Sequence, residues 1–239
     1  MKTTRLITLL TLLAVLLLQS CDGGHCIRGN RDLTSEYRSV EPYSGLQSEG
    51  SWDVVMHYDT IHYVLIEAES NLLPYISTQV KGNDLIVKTR DHRCINNRLP
   101  ITIHVYTPEL ERASLEGSGN INIEQLSGND AFLLISGSGD IQADIQASDL
   151  TARISGSGEM VLEGSCDYSE MEISGSGNIR AYNLVQGTCF ATISGSGDMY
   201  LNVTTLLDVR ILGSGDVHYK GNPQVHTSIL GSGEVVHTW

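Results

Sequence analysis

Apolar and polar positions divide the 239-residue chain into three unequal parts. Leu6 to Leu18 form an almost unbroken apolar run, interrupted by Thr8 and Thr11 and preceded by the positive Lys2 and Arg5. The run is too short for a comfortable membrane span and has the layout of a signal peptide, residues 1–20. Residues 21–36 carry no core-forming pattern and read as a tether. From residue 37 to 239 the apolar residues fall at alternate positions, as in Ala152 and Ile154, then Met160 and Leu162. That period of two belongs to strands, and helical spacing is essentially absent.

The alternation is itself periodic on a longer scale. Gly-Ser-Gly begins at Gly117, Gly137, Gly156, Gly175, Gly195, Gly213 and Gly231, at intervals of 18 to 20 residues. Two residues before each triplet stands Leu115, Ile135, Ile154, Ile173, Ile193, Ile211 or Ile229. Four residues after its first glycine stands Ile121, Ile141, Met160, Ile179, Met199, Val217 or Val235. Strand patterns repeating at this interval stack as coils about 4.8 Å apart. The spacing therefore predicts an all-β fold: a single-stranded, parallel, right-handed β-helix with coils of about 18–20 residues. Each isoleucine of the inner ladder contributes about 1.5–3 kcal/mol if fully buried. The glycines share the inward parity of these ladders, where the absence of a side chain lets the wall bend or approach its neighbour.

The front of the domain reads as a degenerate continuation. Gly50-Ser51 is followed by Asp53 and Val54 at the repeat's own offsets. Strand-like runs cover residues 62–68, 84–89 and 101–106, with turn signals at Lys81-Gly82-Asn83-Asp84 and Thr107-Pro108.

Charge and cysteines narrow the setting. A net charge of −13 repels phosphate backbones and makes nucleic acid an unsuitable partner. Leu18-Gln19-Ser20-Cys21 resembles the lipobox of bacterial lipoproteins. The resemblance implies cleavage before Cys21, acylation of that residue, and a membrane anchor in the cell envelope, with the outer membrane as the expected site. Export places Cys26, Cys94, Cys166 and Cys189 in an oxidising compartment. Two disulfides are then candidates, Cys26 with Cys94 and Cys166 with Cys189, with buried free thiols the alternative for the second pair. His25 and His92 lie near Cys26 and Cys94, but their spacing does not match zinc-ligand patterns.

With these residues in view, the chain resembles the putative auto-transporter adhesin, head GIN domain family. The carrying features are the repeated Ser-Gly-Ser-Gly units followed by Asn, Asp or Glu and then Ile, Met or Val. Asp53-Val54-Val55, Leu85-Ile86-Val87 and Ile101 to Pro108 support them, and the resemblance runs from about Val40 to the C-terminus. It implies a β-helical extracytoplasmic domain, often on a lipoprotein, with no catalytic residues to carry over.

Several chemistries can be weighed from the residues alone. A nucleophile elbow needs glycines two residues either side of its serine, which Gly-Ser-Gly lacks, and no phosphate-cradling glycine loop occurs. After each triplet stands Asn120, Asp140, Glu159, Asn178, Asp198, Asp216 or Glu234. Stacked carboxylates about 4.8 Å apart repel by roughly 1 kcal/mol in water, so Asp140, Glu159, Asp198, Asp216 and Glu234 form a candidate cation ladder suited to calcium. Tyr43, Trp52, Tyr58, Tyr63 and Tyr75 are candidates for a sugar-stacking surface, against a bland role in packing. The expectation is a non-enzymatic envelope lipoprotein, an adhesin or structural surface protein that binds a host or envelope protein or a glycan. Strand edges at a solenoid end also make self-association an expectation. The alternative is a carbohydrate-active β-helix enzyme, which needs two carboxylates facing one cleft.

Overall fold

A computed structural model describes residues 26–238; the predicted signal peptide and Cys21, the predicted lipidation residue, lie outside the described residues. It is nearly all β, a parallel β-solenoid of about seven turns. In chain order the strands are β1 (Ile27–Arg28), β2 (Leu33–Ser39), β3 (Gly45–Gly50), β4 (Asp53–Tyr58), β5 (Tyr63–Glu69) and β6 (Ile76–Lys81). Then come β7 (Asp84–Thr89), β8 (Ile95–Asn96), β9 (Thr102–Thr107), β10 (Arg112–Gly117), β11 (Asn120–Gly137) and β12 (Asp140–Gly156). The last are β13 (Glu159–Gly175), β14 (Asn178–Ile193), β15 (Met199–Ile211), β16 (Val217–Lys220), β17 (Gln224–Ile229) and β18 (Val235–His237).

From β10 onward each coil stacks in parallel on the one before, in the register of the repeat. Leu115 lies beside Ile135, Ile135 beside Ile154, and Ile154 beside Ile173. Leu115, Ile135, Ile154, Ile173, Ile193 and Ile211 are buried, and so are Ile121, Ile141, Met160, Ile179, Met199 and Val217. The ladders therefore form the core as a continuous column. They lapse only in the last coil, where Ile229 is exposed and Val235 half-buried.

The tight corner depends on glycine. A Cβ built on Gly137 or Gly156 lies within 2.3 Å of the carbonyl oxygen of the equivalent glycine in the preceding coil. Both residues also hold φ near +145°, which L side chains rarely adopt. Glycine stacks on glycine here because backbone itself fills the space a side chain would need.

The front departs from a plain continuation of the coil. Gly50 does sit beside Gly117 and Asp53 beside Asn120, so β3 and β4 form a genuine rung. The chain then leaves, and β7 and β9 return to stack on the outer side of that rung. Beyond them β6 pairs with β7, β5 with β9 and β2 with β5, all antiparallel. These reversed strands cover the edge that a parallel stack otherwise leaves open. In the β3–β4 rung Trp52 stands where the coils above have their second glycine. Its buried indole donates to Ser48 Oγ at 3.0 Å, and Ser48 occupies the place of the isoleucine ladder.

The predicted tether needs correction. Leu33–Ser39 is strand, paired along its whole length with β5, and β1 pairs with β8. Most side chains of β2 are exposed, so no apolar alternation marked it in the sequence. Backbone pairing to partners 24 to 36 residues away, rather than core burial, holds it in place. Buried Glu69 ties the same region together, its carboxylate accepting the amides of Arg31, Arg98 and Leu99.

Candidate binding surfaces

At the corner, the amides of Ser138, Ser157 and Ser176 donate to the carbonyls of Gly117, Gly137 and Gly156, each at 2.9 Å. The adjoining Asx/Glu column is built on the same principle. Asp140 Oδ1 accepts the amide of Glu159 in the next coil at 2.8 Å. Asn178 does the same for Asp198, Asp198 for Asp216, and Asp216 for Glu234, at 2.8–2.9 Å. A short Asp or Asn side chain spans the inter-coil gap to that amide. Glu159 is one methylene longer and pairs instead with Arg180, while the Asn178 amide turns to the Gly158 carbonyl. A hydrogen bond to a charged acceptor contributes about 1.5–3 kcal/mol, against roughly 1 kcal/mol of repulsion between exposed neighbours. The column is therefore self-consistent as a staircase of amide caps. One oxygen each of Asp140, Asp198 and Asp216 is already engaged, and no group of three or more His, Cys, Asp or Glu suited to a metal occurs among the described residues.

The outer face near the cap carries a different feature. Strand alternation turns Tyr63, His104, Tyr106 and His57 outward while Val64, Val105 and Met56 point into the core. Because β2, β5, β9 and β4 lie side by side, their rings meet. Tyr37 stacks on Tyr63 at 5.0 Å, Tyr63 on Tyr106 at 4.1 Å, and Tyr106 on His57 at 4.8 Å. His57 Nε2 faces His104 Nδ1 at 3.1 Å, and the outer nitrogens meet carboxylates. His57 Nδ1 lies 2.7 Å from Glu124, and His104 Nε2 lies 3.8 Å from Glu67. The result is a strip of ring edges, imidazoles and carboxylates across adjacent strands. A sugar-stacking platform needs free ring faces, whereas here the inner faces cover one another.

The proposed sugar surface is otherwise dispersed. Tyr43 and Trp52 are buried, with the Tyr43 hydroxyl donating to the Tyr106 carbonyl at 3.0 Å and burial raising its pKa. Tyr58 is exposed and Tyr75 half-buried, and neither joins the stack. A second, shorter strip lies further along the solenoid, where Arg180 covers Tyr200 at 5.1 Å and Tyr200 stacks on His218 at 5.0 Å.

Concave features are shallow. A cleft of about 420 Å³ is lined by Ser39, Val40, Glu41 and Thr78 to Lys81. Others of about 150, 190 and 120 Å³ hold Glu49, Glu109 and Asp84 respectively as their single carboxylate.

Repeat, corner and capped front together match a known family model, described as putative auto-transporter adhesin, head GIN domain, over residues 42–223. The chain belongs to that family. Its head GIN fold superposes on a putative adhesin of Bacteroides fragilis NCTC 9343 with a TM-score of 0.82 at 25% identity, over 89% of this chain and 100% of that one. A putative lipid binding protein of Parabacteroides distasonis ATCC 8503 gives 0.75 at 24%, over 89% and 99% of the two chains. A putative adhesin of Parabacteroides merdae ATCC 43184 gives 0.69 at 19%, over the same shares, and these last two speak to fold alone. No curated protein matches the chain. An adhesin-like family suggests a cell-surface or envelope protein.

Among the described residues the cysteines divide. Cys26 and Cys94 form a disulfide, beside the β1–β8 pair. Cys166 and Cys189 are buried free thiols rather than the second candidate disulfide. Their interval overshoots the local repeat, so Cys166 lies beside Gln186 while Cys189 lies beside Ser169. Burial pushes both thiols up to about 12. Sequence reasoning named Tyr63 but missed Tyr37, His57, His104 and Tyr106. Thr102, His104 and Tyr106 alternate with buried Ile103 and Val105, which marks an outward polar-aromatic face; which strand lies beside it carries no local signal.

Proposed function

We propose that the chain is an exported envelope lipoprotein, acylated at Cys21 and held at the outer membrane. Its head GIN solenoid acts without catalysis as a rigid binding surface for an envelope or host macromolecule, protein or glycan. The observation that carries this reading is the outward strip from Tyr37 to His57, flanked by Glu124 and Glu67. It offers ring edges, hydrogen-bonding imidazoles and negative charge on paired strands, which hold their positions more firmly than loops do. Family membership and the adhesin-named relatives support the same class. The carbohydrate-active enzyme is the weaker reading, since each of the four clefts described holds one carboxylate where glycoside hydrolysis uses two.

The test is an array of glycans, matrix proteins and lipids probed with the purified chain, with and without calcium. Saturable binding to one class, lost in Tyr37→Ala and His57→Ala, supports the strip as the contact. Binding that persists in both variants, or silence on every class, overturns it. The calcium arm also addresses the ladder of Asp140, Glu159, Asp198, Asp216 and Glu234, which could hold the ion only through oxygens not already capping an amide. Self-association is read in parallel by sedimentation.

A further inference from the structure

The positive charge of this acidic protein is unevenly placed. Residues 101–239 contain five Lys and Arg against seventeen Asp and Glu. The short segments 26–32 and 90–99 reverse the balance, with five arginines against Asp32 and Asp91. All five, Arg28, Arg31, Arg90, Arg93 and Arg98, are exposed, and none forms a salt bridge among the described residues.

The fold brings the two segments together at the capped end of the solenoid. Cys26 is bonded to Cys94, Arg28 lies beside Asn96 in the β1–β8 pair, and the amides of Arg31 and Arg98 share the Glu69 carboxylate. Arg90 and Arg93 bracket a single turn closed by the Arg93 amide on the Arg90 carbonyl at 3.1 Å. Residues 90–101 link β7 to β9, where the adjoining rung passes from β3 to β4 through Ser51 and Trp52 alone. The extra chain at this corner is what carries three of the arginines.

Chain length then places the collar relative to the anchor. Cys26 is five residues beyond Cys21, a reach of at most about 18 Å even when fully extended. We propose that the arginine collar docks the capped end of the solenoid on anionic lipid headgroups of the membrane holding the anchor. This rests on acylation of Cys21, the reading given above. Several acyl chains already make a durable anchor, so the collar supplies orientation. Arginines near an anionic surface are each attracted by about 1 kcal/mol, a factor of about five in binding, within a Debye length of about 8 Å. The same surface repels the acidic coils, so cap-down is the orientation in which both forces agree. The far end of the solenoid then faces away from the bilayer.

The test uses the mature chain, residues 21–239 without the signal peptide, with Cys21→Ser, which removes the anchor and leaves the collar. Vesicles of phosphatidylcholine alone are compared with vesicles containing phosphatidylglycerol, by co-sedimentation at low and high salt. Binding to the anionic vesicles alone, lost at high salt and weakened about fivefold by each Arg→Gln at 28, 31, 90, 93 and 98, is the expected result. A thermal melt of each variant checks that the fold is kept. No binding to anionic vesicles, or binding that survives all five substitutions, overturns the proposal. So does tighter binding to soluble polyphosphate than to the vesicles, since the collar would then serve a free polyanion. Acylation is read separately, from the mass of the wild-type protein extracted from membranes, so loss of the anchor and loss of the collar are distinguished.

Discussion

Replacing Gly158 by alanine puts a methyl carbon 2.0 Å from the Gly139 carbonyl oxygen and 3.0 Å from Ile135 Cγ2. The oxygen belongs to backbone, so no rotamer relieves the contact and the two coils must part by about 1 Å, or the corner must unwind. Either route strains the Ser157 amide on the Gly137 carbonyl at 2.9 Å and the Glu159 amide on Asp140 Oδ1 at 2.8 Å. Two such bonds are worth about 1–3 kcal/mol net, and loosened packing of Ile135 adds roughly another 1–2. Alanine returns about 0.4–1 kcal/mol by restricting the unfolded chain. The expected loss is about 1–4.5 kcal/mol, which lowers Tm by roughly 2–4 °C per kcal/mol in a domain of this size. Urea unfolding followed by far-UV circular dichroism measures it, with exposed Ser157→Ala as a control expected within about 0.5 kcal/mol of wild type. A Gly158→Ala chain as stable as the Ser157→Ala control would falsify the argument that backbone-on-backbone stacking requires glycine.

Three further outcomes follow from the same geometry. Burial alone raises the Glu69 carboxyl pKa, but the amides of Arg98, Arg31 and Leu99 outweigh it and hold the group below its ordinary value. Its contribution is present above the unfolded-state pKa of about 4.3 and is lost as pH falls through the lower folded value. The stability gap between wild type and Glu69→Gln should narrow from pH 6 to pH 3, and a gap independent of pH refutes the assignment. Asp216→Asn keeps an oxygen for the Glu234 amide and should unfold within about 0.5 kcal/mol of wild type, whereas Asp216→Ala should lose about 1 kcal/mol. Equal losses in the two variants would show that the amide cap is not what the column contributes. Cys166 and Cys189, pushed up to about 12 by burial, should resist iodoacetamide at pH 8 until the chain unfolds. Prompt labelling of the native protein counts against their placement in the core.

The repeating part of this protein was legible from its residues because each coil restates the same local rule. Ile154, Gly156, Gly158 and Met160 recur at nearly constant spacing, and in a solenoid equal positions in sequence become neighbours in space. Alternation alone then set which side chains face inward, and the buried isoleucine ladder follows from it. The acidic column was visible too, though its role was not: whether an oxygen meets a cation or the next coil's amide depends on a gap of a few ångströms. The cap obeys no repeat. β7 and β9 lie outside β3 and β4 although they come later in the chain, and β2 is paired with nothing to mark it but backbone. Tyr63 meets Tyr106, Glu69 gathers Arg31 and Arg98, and Cys26 finds Cys94 only through those long-range pairings. Periodic sequence encodes its own contacts; the surfaces assigned to binding and docking arise where the period breaks, and there only the assembled backbone decides which residues meet.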